Sequence, residues 1–483
     1  MRRELYADSF TTITVLRALR AASTHVFLLE SAEADQRSGR YSFLGLNPSM
    51  EITCLDGTLR VRRNVEGACG AGATTDAPSL QTRQVDHPGD FLREVIADNL
   101  TPQLEGFPTF TGGLVGYFSY DYLAYAEPTL RRKGMRNEDF LDMDLMLFDD
   151  VICFDSYRKR LVLITGVRTD DVDASYAAAE ARLDAIERLI RTGERKRFEP
   201  LRLTSQLVPH FSRERYCQMV EVAKEHIREG DVFQVVLSDP MEATATGSLL
   251  DTYRVLRSEN PSPYMFYFTS DDVEIAGASP ETLVKLENGT LRTYPLAGTR
   301  PRGRTVEEDE RLERELLADE KELAEHNMLV DLGRNDLGRI AAIGSVRVES
   351  HLKVLRLSHV MHMGSTVEGL IAQDRDAVDA VDSILPAGTL SGAPKVRACQ
   401  IIQELEGSKR GIYGGAIGYL DFSGNLDTCI GIRLAYKKHG RVVVQSGAGI
   451  VADSVPEREF EECQGKARAV MEALRTAEGG IDR

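Results

Sequence analysis

Two Glu-x-x-Glu pairs are the residues whose type and spacing point most directly to chemistry. Glu322 and Glu325 lie in one predicted helix, and Glu459 and Glu462 lie in another. A spacing of three places both carboxylates of a pair on one helix face, where Lys466 also follows Glu462 by four residues. Four carboxylates brought together would repel one another, and Mg²⁺ would relieve that repulsion while keeping water and substrate oxygens as ligands. The pattern therefore indicates a magnesium site, although the spacing alone more often accompanies two solvated helix faces.

Three glycine-rich segments accompany these helices. Glycine at the end of a strand lets backbone N–H groups approach an anion closely, so together they indicate an anionic ligand, although any one of them could be an ordinary turn. They are PLAGTRPRG at 295–303, AGTLSGAPK at 387–395 and QSGAGI at 445–450. The third also fits the dinucleotide pattern G-x-G-x-x-A, but it opens no βαβ unit, and we assign no dinucleotide site.

His362 is a candidate for proton transfer, because histidine titrates near neutral pH. It lies in SHVMHMG at 358–364, where alternation predicts a short strand with His362 and Val360 on one face. A histidine within a strand is more often structural than catalytic, so its role depends on its surroundings.

The pattern of predicted strands and helices around these residues indicates an α+β fold. We expect a large two-part arrangement of antiparallel sheets with helices packed outside. Short strands recur through the first half and again at 411–450, where we expect a β-meander. The polar stretch 191–200 is a predicted linker that separates residues 1–200 from residues 201–483. Helices are predicted at 90–99, 174–192, 213–229 after a Ser212 cap, 307–333 and 456–476.

The composition excludes several classes of protein. The chain has 483 residues, with 59 Lys and Arg against 75 Asp and Glu, and a net charge of -16. This charge disfavours nucleic acid and anionic membranes as partners, because both attract basic surfaces. No apolar run is long enough to cross a membrane, and no signal peptide is evident. The 7 cysteines are scattered without a C-x-x-C pair, which favours a reducing cytoplasm over a disulfide framework or a zinc site.

These segments together resemble the chorismate-utilising enzyme family over nearly the whole chain, most densely from 212 to 475. The one local departure is ECQGKA at 462–467, where the family usually has E-T-x-N-K-A; the lysine is kept, so we expect the chemistry to be unchanged. The motifs that carry the resemblance are GDVFQVV at 230–236, ASPE at 278–281, PLAGTRPRG at 295–303, DEKELAEHNMLVDLGRND at 319–336, HVMH at 359–362, AGTLSGAPKVRA at 387–398, YGGAIGY at 413–419 and SGAGIVADSVPEREFEE at 446–462.

The resemblance implies a reaction. The substrate would be chorismate, a cyclohexadiene dicarboxylate that carries an enolpyruvyl ether. Ammonia would add at C2 as the C4 hydroxyl leaves, and elimination of pyruvate would then give anthranilate. Mg²⁺, held by the two glutamate pairs, would bind the ring carboxylate.

The resemblance also assigns roles to single residues. Glu281 matches the general acid, and His362 matches the histidine that assists formation of the aromatic product. Tyr413 and Arg433 match contacts to the enolpyruvyl group and its carboxylate, to which a guanidinium can bind through two hydrogen bonds. Thr389, Gly449 and Lys466 match contacts to the ring carboxylate or to nearby oxygens. Further matches to substrate-binding positions are Gly298, Thr299 and Gly447.

Two positions distinguish this chain from relatives within the family. Members that add water at C2 have a lysine base where this chain has Gln234, and members that make 4-amino-4-deoxychorismate have a nucleophilic lysine where it has Ala297. A lysine is required in both cases, as a base or as a covalent nucleophile. External ammonia is therefore the expected nucleophile.

A separate partner is expected to supply the ammonia, because ammonia is mostly protonated at neutral pH. A glutamine amidotransferase needs a nucleophilic cysteine in a G-x-C-x-G elbow and a downstream His-x-Glu. Cys69 is a near miss in the Gly/Ala/Thr-rich segment 64–80, a predicted surface loop, and no histidine is followed by x-Glu. We therefore expect a separate glutaminase subunit and a hetero-oligomer.

The resemblance further implies feedback inhibition by tryptophan at a site in the N-terminal part. LLES at 28–31 and NPSPYM at 260–265 match its two hallmark segments, although NPSP alone would predict no more than a turn before a strand. The residues expected to line the site are Ser31, Pro261, Tyr264, Met265 and Cys429.

Two alternatives remain at this stage. A 2-amino-2-deoxyisochorismate synthase would stop before pyruvate is lost, although His362 and the lack of a fused glutaminase favour the aromatic product. A tryptophan-sensing subunit without catalytic activity would not need the full set of acidic and proton-transfer residues found here.

Overall fold

The fold consists of two large antiparallel sheets with helices packed on their outer faces, which confirms the predicted α+β class. Among the residues that the structure describes, no helix combines the length and apolar character needed to cross a membrane. The computed structural model describes residues 1–32, 39–65, 79–132, 135–356 and 360–482.

The first sheet has 13 strands among the described residues. Two of them, Val208–Pro209 and Gly392–Ala393, are short and pair with the long strand Gln234–Thr246. The others lie in the spatial order Arg2–Tyr6, Arg160–Thr165, Asp150–Asp155, Tyr41–Leu46, Val26–Glu30, Tyr264–Thr269, Glu274–Ser279, Leu434–Lys438, Arg441–Ile450, Gln234–Thr246 and Arg202–Leu203.

The second sheet has 12 strands in the same parts of the chain. One of them, Arg347–Arg356, lies off the main path and pairs with Val360–Leu370. The others lie in the order Leu296–Pro301, Val360–Leu370, Thr290–Thr293, Thr282–Glu287, Leu426–Ile430, Ala416–Asp421, Gly113–Phe118, Met143–Phe148, Met50–Leu55, Thr58–Arg63 and Ser79–Gln84.

Several of the helices begin where the sequence supplies a capping group or a proline. The Ser212 side chain accepts a hydrogen bond from the Arg215 N–H, as predicted, and Pro456 occupies the first turn of the last helix. Short 3₁₀ turns lie at Tyr120–Tyr122, Pro128–Leu130 and Gly388–Leu390. The α-helices are Thr12–Ala22, Gly89–Asp98, Leu123–Ala126, Val172–Thr192, Arg213–Arg228, Leu250–Glu259, Val306–Ala318, Glu320–Gly338, Ala377–Ile384, Lys395–Glu406 and Pro456–Ala477.

An aromatic core joins the two sheets. Phe27 of the first sheet packs edge-on against Phe148 of the second, with ring centroids 4.7 Å apart, and Phe268 meets Tyr117 in the same way. Burial of each such side chain stabilises the fold by roughly 1.5–3 kcal/mol. Each sheet joins a block of strands from before residue 200 to a block of strands from after it, and the functional division at that residue stays a prediction.

Two predicted elements differ from the structure. The single helix expected at 307–333 is two helices, because Asp319 leaves the helical conformation and caps the second helix by accepting hydrogen bonds from the backbone of Lys321 and Glu322. The meander expected at 411–450 is divided, since its first two strands belong to the second sheet and its last two to the first. The chain crosses between the sheets after Ile430, and the centre of the predicted loop at 64–80 lies outside the described residues.

Candidate active site

The four glutamates of the predicted magnesium site face a common region from two helices. Burial raises the pKa of Glu325, and the negative charges of Glu322 and Glu462 raise it further. Burial also raises the pKa of Glu459, and the negative charge of Glu462 raises it further. Glu325 and Glu459 thus both sense neighbouring negative charge, and carboxylate oxygens are the hard ligands that Mg²⁺ prefers.

Two basic side chains partly balance this acidic region. Lys466 Nζ lies 2.8 Å from Glu462 Oε1, and Arg300 Nη1 lies 3.5 Å from Glu322 Oε1. The four glutamates fit a cation in their donor chemistry, but their oxygens do not form a closed cage. Within the described ranges, the one group that brings three ligand atoms within 4.8 Å of one another is His226, Glu229 and Asp231.

That closer group is an ion-pair cluster on the outside of the fold. His226 Nδ1 lies 2.8 Å from Asp231 Oδ2, and Arg397 Nη2 donates to the same oxygen over 2.6 Å. The Arg397 guanidinium already binds the carboxylate oxygen that a metal would need, so we assign no metal to this cluster.

Gly298 brings the acidic helix against His362. It has a left-handed φ of 65° at an irregularity in the pairing between Leu296–Pro301 and Val360–Leu370. A Cβ atom there would lie 2.8 Å from Leu316 and 3.2 Å from Glu322 Oε2, so only glycine fits without strain. The predicted site residue Gly298 is thus required by shape.

His362 is held in one orientation by its neighbours. Its Nδ1 lies 3.0 Å from the Gly298 carbonyl oxygen and 3.1 Å from Thr299 Oγ1. Because a carbonyl can only accept, Nδ1 carries the proton and Nε2 is left with a free lone pair. Burial lowers the pKa of His362, and the charge of Arg433 lowers it further, so the imidazole is neutral at pH 7 and can accept a proton.

Glu281 is a carboxyl group that stays protonated near neutral pH. Burial raises its pKa to about 8, against the lowering effects of a hydrogen bond from Thr389 and of the charge of Lys466. Thr389 Oγ1 donates to Glu281 Oε1 over 3.2 Å. Such a group is suited to act as a general acid.

Two glycines of the strand Arg441–Ile450 leave room for neighbouring side chains to approach the strand. A Cβ on Gly447 would lie 2.9 Å from the Tyr413 hydroxyl, and a Cβ on Gly449 would lie 2.6 Å from Gln234 Nε2. These glycines are two residues apart, so they share one face of the strand. Gln234 is 4% exposed, and its Oε1 has no hydrogen-bond partner within the described structure.

Arg433 lies where the chain crosses from one sheet to the other. It has a left-handed φ of 53°, and its guanidinium donates to the Lys466 carbonyl oxygen. Burial lowers its pKa, while Tyr413 raises it slightly, and none of the ion pairs found in the described ranges involves it. A half-buried cation without an acidic partner is a suitable receptor for a ligand carboxylate.

The residues predicted to bind tryptophan lie at one end of adjoining strands. Met265 is paired with Glu30, next to Ser31, and the Tyr264 hydroxyl donates to Asp427 over 2.8 Å. Cys429 follows Asp427 by two residues on the second sheet and is buried. The structure therefore brings these positions together across the two sheets, and Pro261 lies exposed at the edge of the group.

A cleft of about 960 Å³ lies away from these residues. It is lined by segments from both sheets, including Asn47, Thr101, Arg182 and Asn288. It contains none of the predicted site residues, and its walls mix both signs of charge without a buried cluster of catalytic groups.

Sequence reasoning missed Glu406 and Arg410, which lie directly behind the site. Arg410 is 1% exposed and the largest fully buried side chain in the described ranges, and it donates to Glu406. The spacing of four residues was the available signal, but such pairs are usually exposed on helix surfaces.

The half-buried proton donor and the cation without an acidic partner suit an enzyme that acts on an anionic ligand, and comparison with known proteins identifies the family. The model of the family described as chorismate binding enzyme matches residues 25–472. The chain belongs to this family.

Individual relatives agree with this assignment. Anthranilate synthase component 1 of Acetivibrio thermocellus is 42% identical over 98% of this chain and 94% of its own length. The protein of the same name from Acinetobacter calcoaceticus is 43% identical over 99% and 95%. The crystal structure of anthranilate synthase component I from Streptococcus pneumoniae TIGR4 superposes with a TM-score of 0.76 at 36% identity, covering 91% of this chain and 93% of that one.

Proposed function

We propose that this chain is the large component of an anthranilate synthase, which converts chorismate and ammonia to anthranilate and pyruvate. The observation that carries the proposal is Glu281, a half-buried carboxyl with a pKa of about 8 that accepts a hydrogen bond from Thr389. Loss of the C4 hydroxyl requires a proton, and this group holds one at neutral pH. The names of the relatives support the same reaction.

Chorismate is a dianion, and the site offers it separate positive and neutral donors. Arg433 would bind the enolpyruvyl carboxylate, and the Tyr413 hydroxyl beside Gly447 would contact the same end. Lys466, Thr389 and backbone N–H groups near Gly449 would face the ring carboxylate. A local positive region within a chain of net charge -16 explains how an acidic protein can bind an anion.

Glu322, Glu325, Glu459 and Glu462 would hold Mg²⁺, some directly and others through water. When bound, the cation would neutralise the ring carboxylate and relieve the repulsion that raises the pKa of Glu325 and Glu459. The remaining steps use the side chains themselves.

Ammonia would attack C2 while the C4 hydroxyl leaves as water with the Glu281 proton. The C2 ammonium group formed in this way would then return one proton to the Glu281 carboxylate. The free Oε1 of Gln234 can accept a hydrogen bond from an incoming N–H, whereas a lysine there would compete as a base. His362 Nε2 would then take the proton from C2. The enolpyruvyl C–O bond breaks, the ring becomes aromatic, and enolpyruvate takes up a proton to become pyruvate.

A glutamine amidotransferase small subunit would supply ammonia in a hetero-oligomer, and tryptophan would inhibit the enzyme at the Ser31, Tyr264 and Met265 group. We further propose a cytoplasmic enzyme with no nucleic-acid or membrane partner. The term "component 1" in the relatives' names supports a partner subunit.

The direct test is to incubate the purified chain with chorismate, Mg²⁺ and ammonium at raised pH. Anthranilate fluorescence supports the proposal. Consumption of chorismate without fluorescence would instead favour 2-amino-2-deoxyisochorismate as the product. No consumption would favour a subunit without catalytic activity.

A further inference from the structure

A fully buried ion pair, Glu406 with Arg410, lies behind the candidate active site. The two side chains are 4% and 1% exposed. Arg410 Nε donates to Glu406 Oε2 over 2.9 Å, and Nη2 donates to Oε1 over 2.6 Å. Two parallel hydrogen bonds fix the relative orientation of both groups.

The pair holds the turn that carries Thr389. Arg410 Nη1 donates to the carbonyl oxygen of Leu390 over 2.6 Å. The next residue, Ser391, accepts a hydrogen bond from the backbone of Val236 over 2.9 Å. The position of the Thr389 hydroxyl against Glu281 is thus tied to the guanidinium through one intervening residue.

The same pair holds the strand that begins at Gln234. Arg410 Nη2 donates to the Val236 carbonyl oxygen over 2.8 Å. Glu406 Oε1 accepts hydrogen bonds from the backbone N–H and the hydroxyl of Ser238, over 2.8 and 2.9 Å. Both contacts lie within four residues of the Gln234 side chain.

Arg410 also packs against the ring of Tyr413. Its guanidinium carbon lies 5.7 Å from the centre of that ring and 4.7 Å from the centre of Tyr120, within the range of cation–π attraction. The Tyr413 hydroxyl points at Gly447, so Arg410 packs against a side chain that faces the site.

We propose that Glu406 and Arg410 are positioning residues, which fix Thr389, Gln234 and Tyr413 in the geometry needed for the reaction. The proposal rests on the proposed function. A buried ion pair contributes little net stability compared with apolar residues of similar size, and this one contacts three separate segments of the site. Displacing reactive groups by about 1 Å can cost about 100-fold in rate.

The test compares Arg410→Lys and Glu406→Gln with a matched control. Arg40→Lys alters a different ion pair, which is partly buried and is also joined by two hydrogen bonds. In that pair Arg40 donates to Asp155 over 3.1 and 2.6 Å, far along the first sheet. At equal folded fraction by circular dichroism, we expect kcat/KM for chorismate to fall about 10–100-fold in the first two variants, as for other residues that orient a site. Arg40→Lys should retain the wild-type value.

A pH profile separates positioning from simple loss of stability. The Thr389 hydrogen bond lowers the pKa of Glu281, so displacing Thr389 raises it. The alkaline limb of kcat/KM should therefore move to higher pH in Arg410→Lys, as in Thr389→Val, and stay in place in Arg40→Lys. The proposal would be overturned if the Arg410→Lys and Glu406→Gln enzymes fold, keep the wild-type kcat/KM and show the alkaline limb at the wild-type pH.

Two further measurements keep the outcome decisive. If Arg410→Lys does not fold, Glu406→Gln and Ser238→Ala, which removes one hydrogen bond to Glu406, take its place with the same expected direction. If the wild type makes no anthranilate, the proposed function fails on its own, and calorimetric binding of chorismate replaces kinetics. Weaker binding by the variants than by wild type then supports positioning, and equal binding overturns it.

Discussion

Thr389 donates a hydrogen bond to Glu281 over 3.2 Å, joining a glycine-rich turn to a half-buried carboxyl whose pKa is about 8. The bond favours the charged form, while burial favours the protonated form and has the larger effect. The balance leaves a proton donor at neutral pH, with a hydroxyl that stabilises the carboxylate once the proton has left.

Glu281→Gln should abolish proton donation while keeping the size and polarity of the side chain. We expect kcat to fall by about 10²–10⁴, the usual contribution of a general acid, with little change in chorismate binding. Steady-state kinetics and calorimetry check the two halves of this prediction. A kcat near that of wild type would remove Glu281 from the proton-donor role.

The pH dependence follows from the same pKa. Glu281 acts in its protonated form, so activity is present below its pKa of about 8 and is lost as the pH rises through that value. The rate must be measured at constant free ammonia, because ammonia itself increases with pH. In Thr389→Val, the loss of activity should occur at higher pH, because the hydrogen bond that lowers the pKa of Glu281 is removed.

His362→Gln should affect the second half of the reaction. The neutral imidazole takes the C2 proton, so without it we expect the amino intermediate to accumulate while chorismate is still consumed. Chromatography of the products, with anthranilate and pyruvate measured together, checks this. In the wild type this step should fail only as the pH falls through a pKa held below the usual 6.5 by burial.

The metal proposal is tested by Glu322→Gln and Glu462→Gln. Removing a carboxylate ligand should raise the Mg²⁺ concentration for half-maximal activity by about tenfold or more, since even residues behind the ligands typically contribute that much. Glu461→Gln is the matched control, because its side chain is 66% exposed and pairs with Arg213. Full activity in EDTA would contradict the role of all four glutamates.

The tryptophan site is tested by Ser31→Phe and Met265→Thr. Either change alters the wall of the proposed site while leaving Glu281 and His362 in place, so we expect activity with strongly reduced inhibition by tryptophan. Ser205→Phe, at an exposed serine, should be inhibited as wild type is. Equal inhibition in all three variants would place the inhibitor elsewhere.

Local signals in the sequence were sufficient for much of the fold. The Ser212 cap and the helix carrying Glu459 and Glu462 depend on neighbouring residues, and both were predicted. The break at Asp319 was also signalled, since Asp followed three residues later by Glu322 is a helix-start pattern, but the long charged run concealed it.

Features that depend on distant contacts could not be predicted from the sequence. The approach of Gly298 to Glu322 and His362 requires two strands and a helix to meet. Likewise, the division of the 411–450 strands between two sheets depends on which neighbours each strand finds. The pKa of Glu281 is set by burial, which no spacing rule encodes.

Formation of anthranilate tests the central claim most directly. The purified chain, with chorismate, Mg²⁺ and ammonium at raised pH, should give anthranilate fluorescence and an equal amount of pyruvate, and Glu281→Gln should give neither at a comparable rate. Chorismate left unchanged by the wild-type chain, or consumed without anthranilate, would contradict the account.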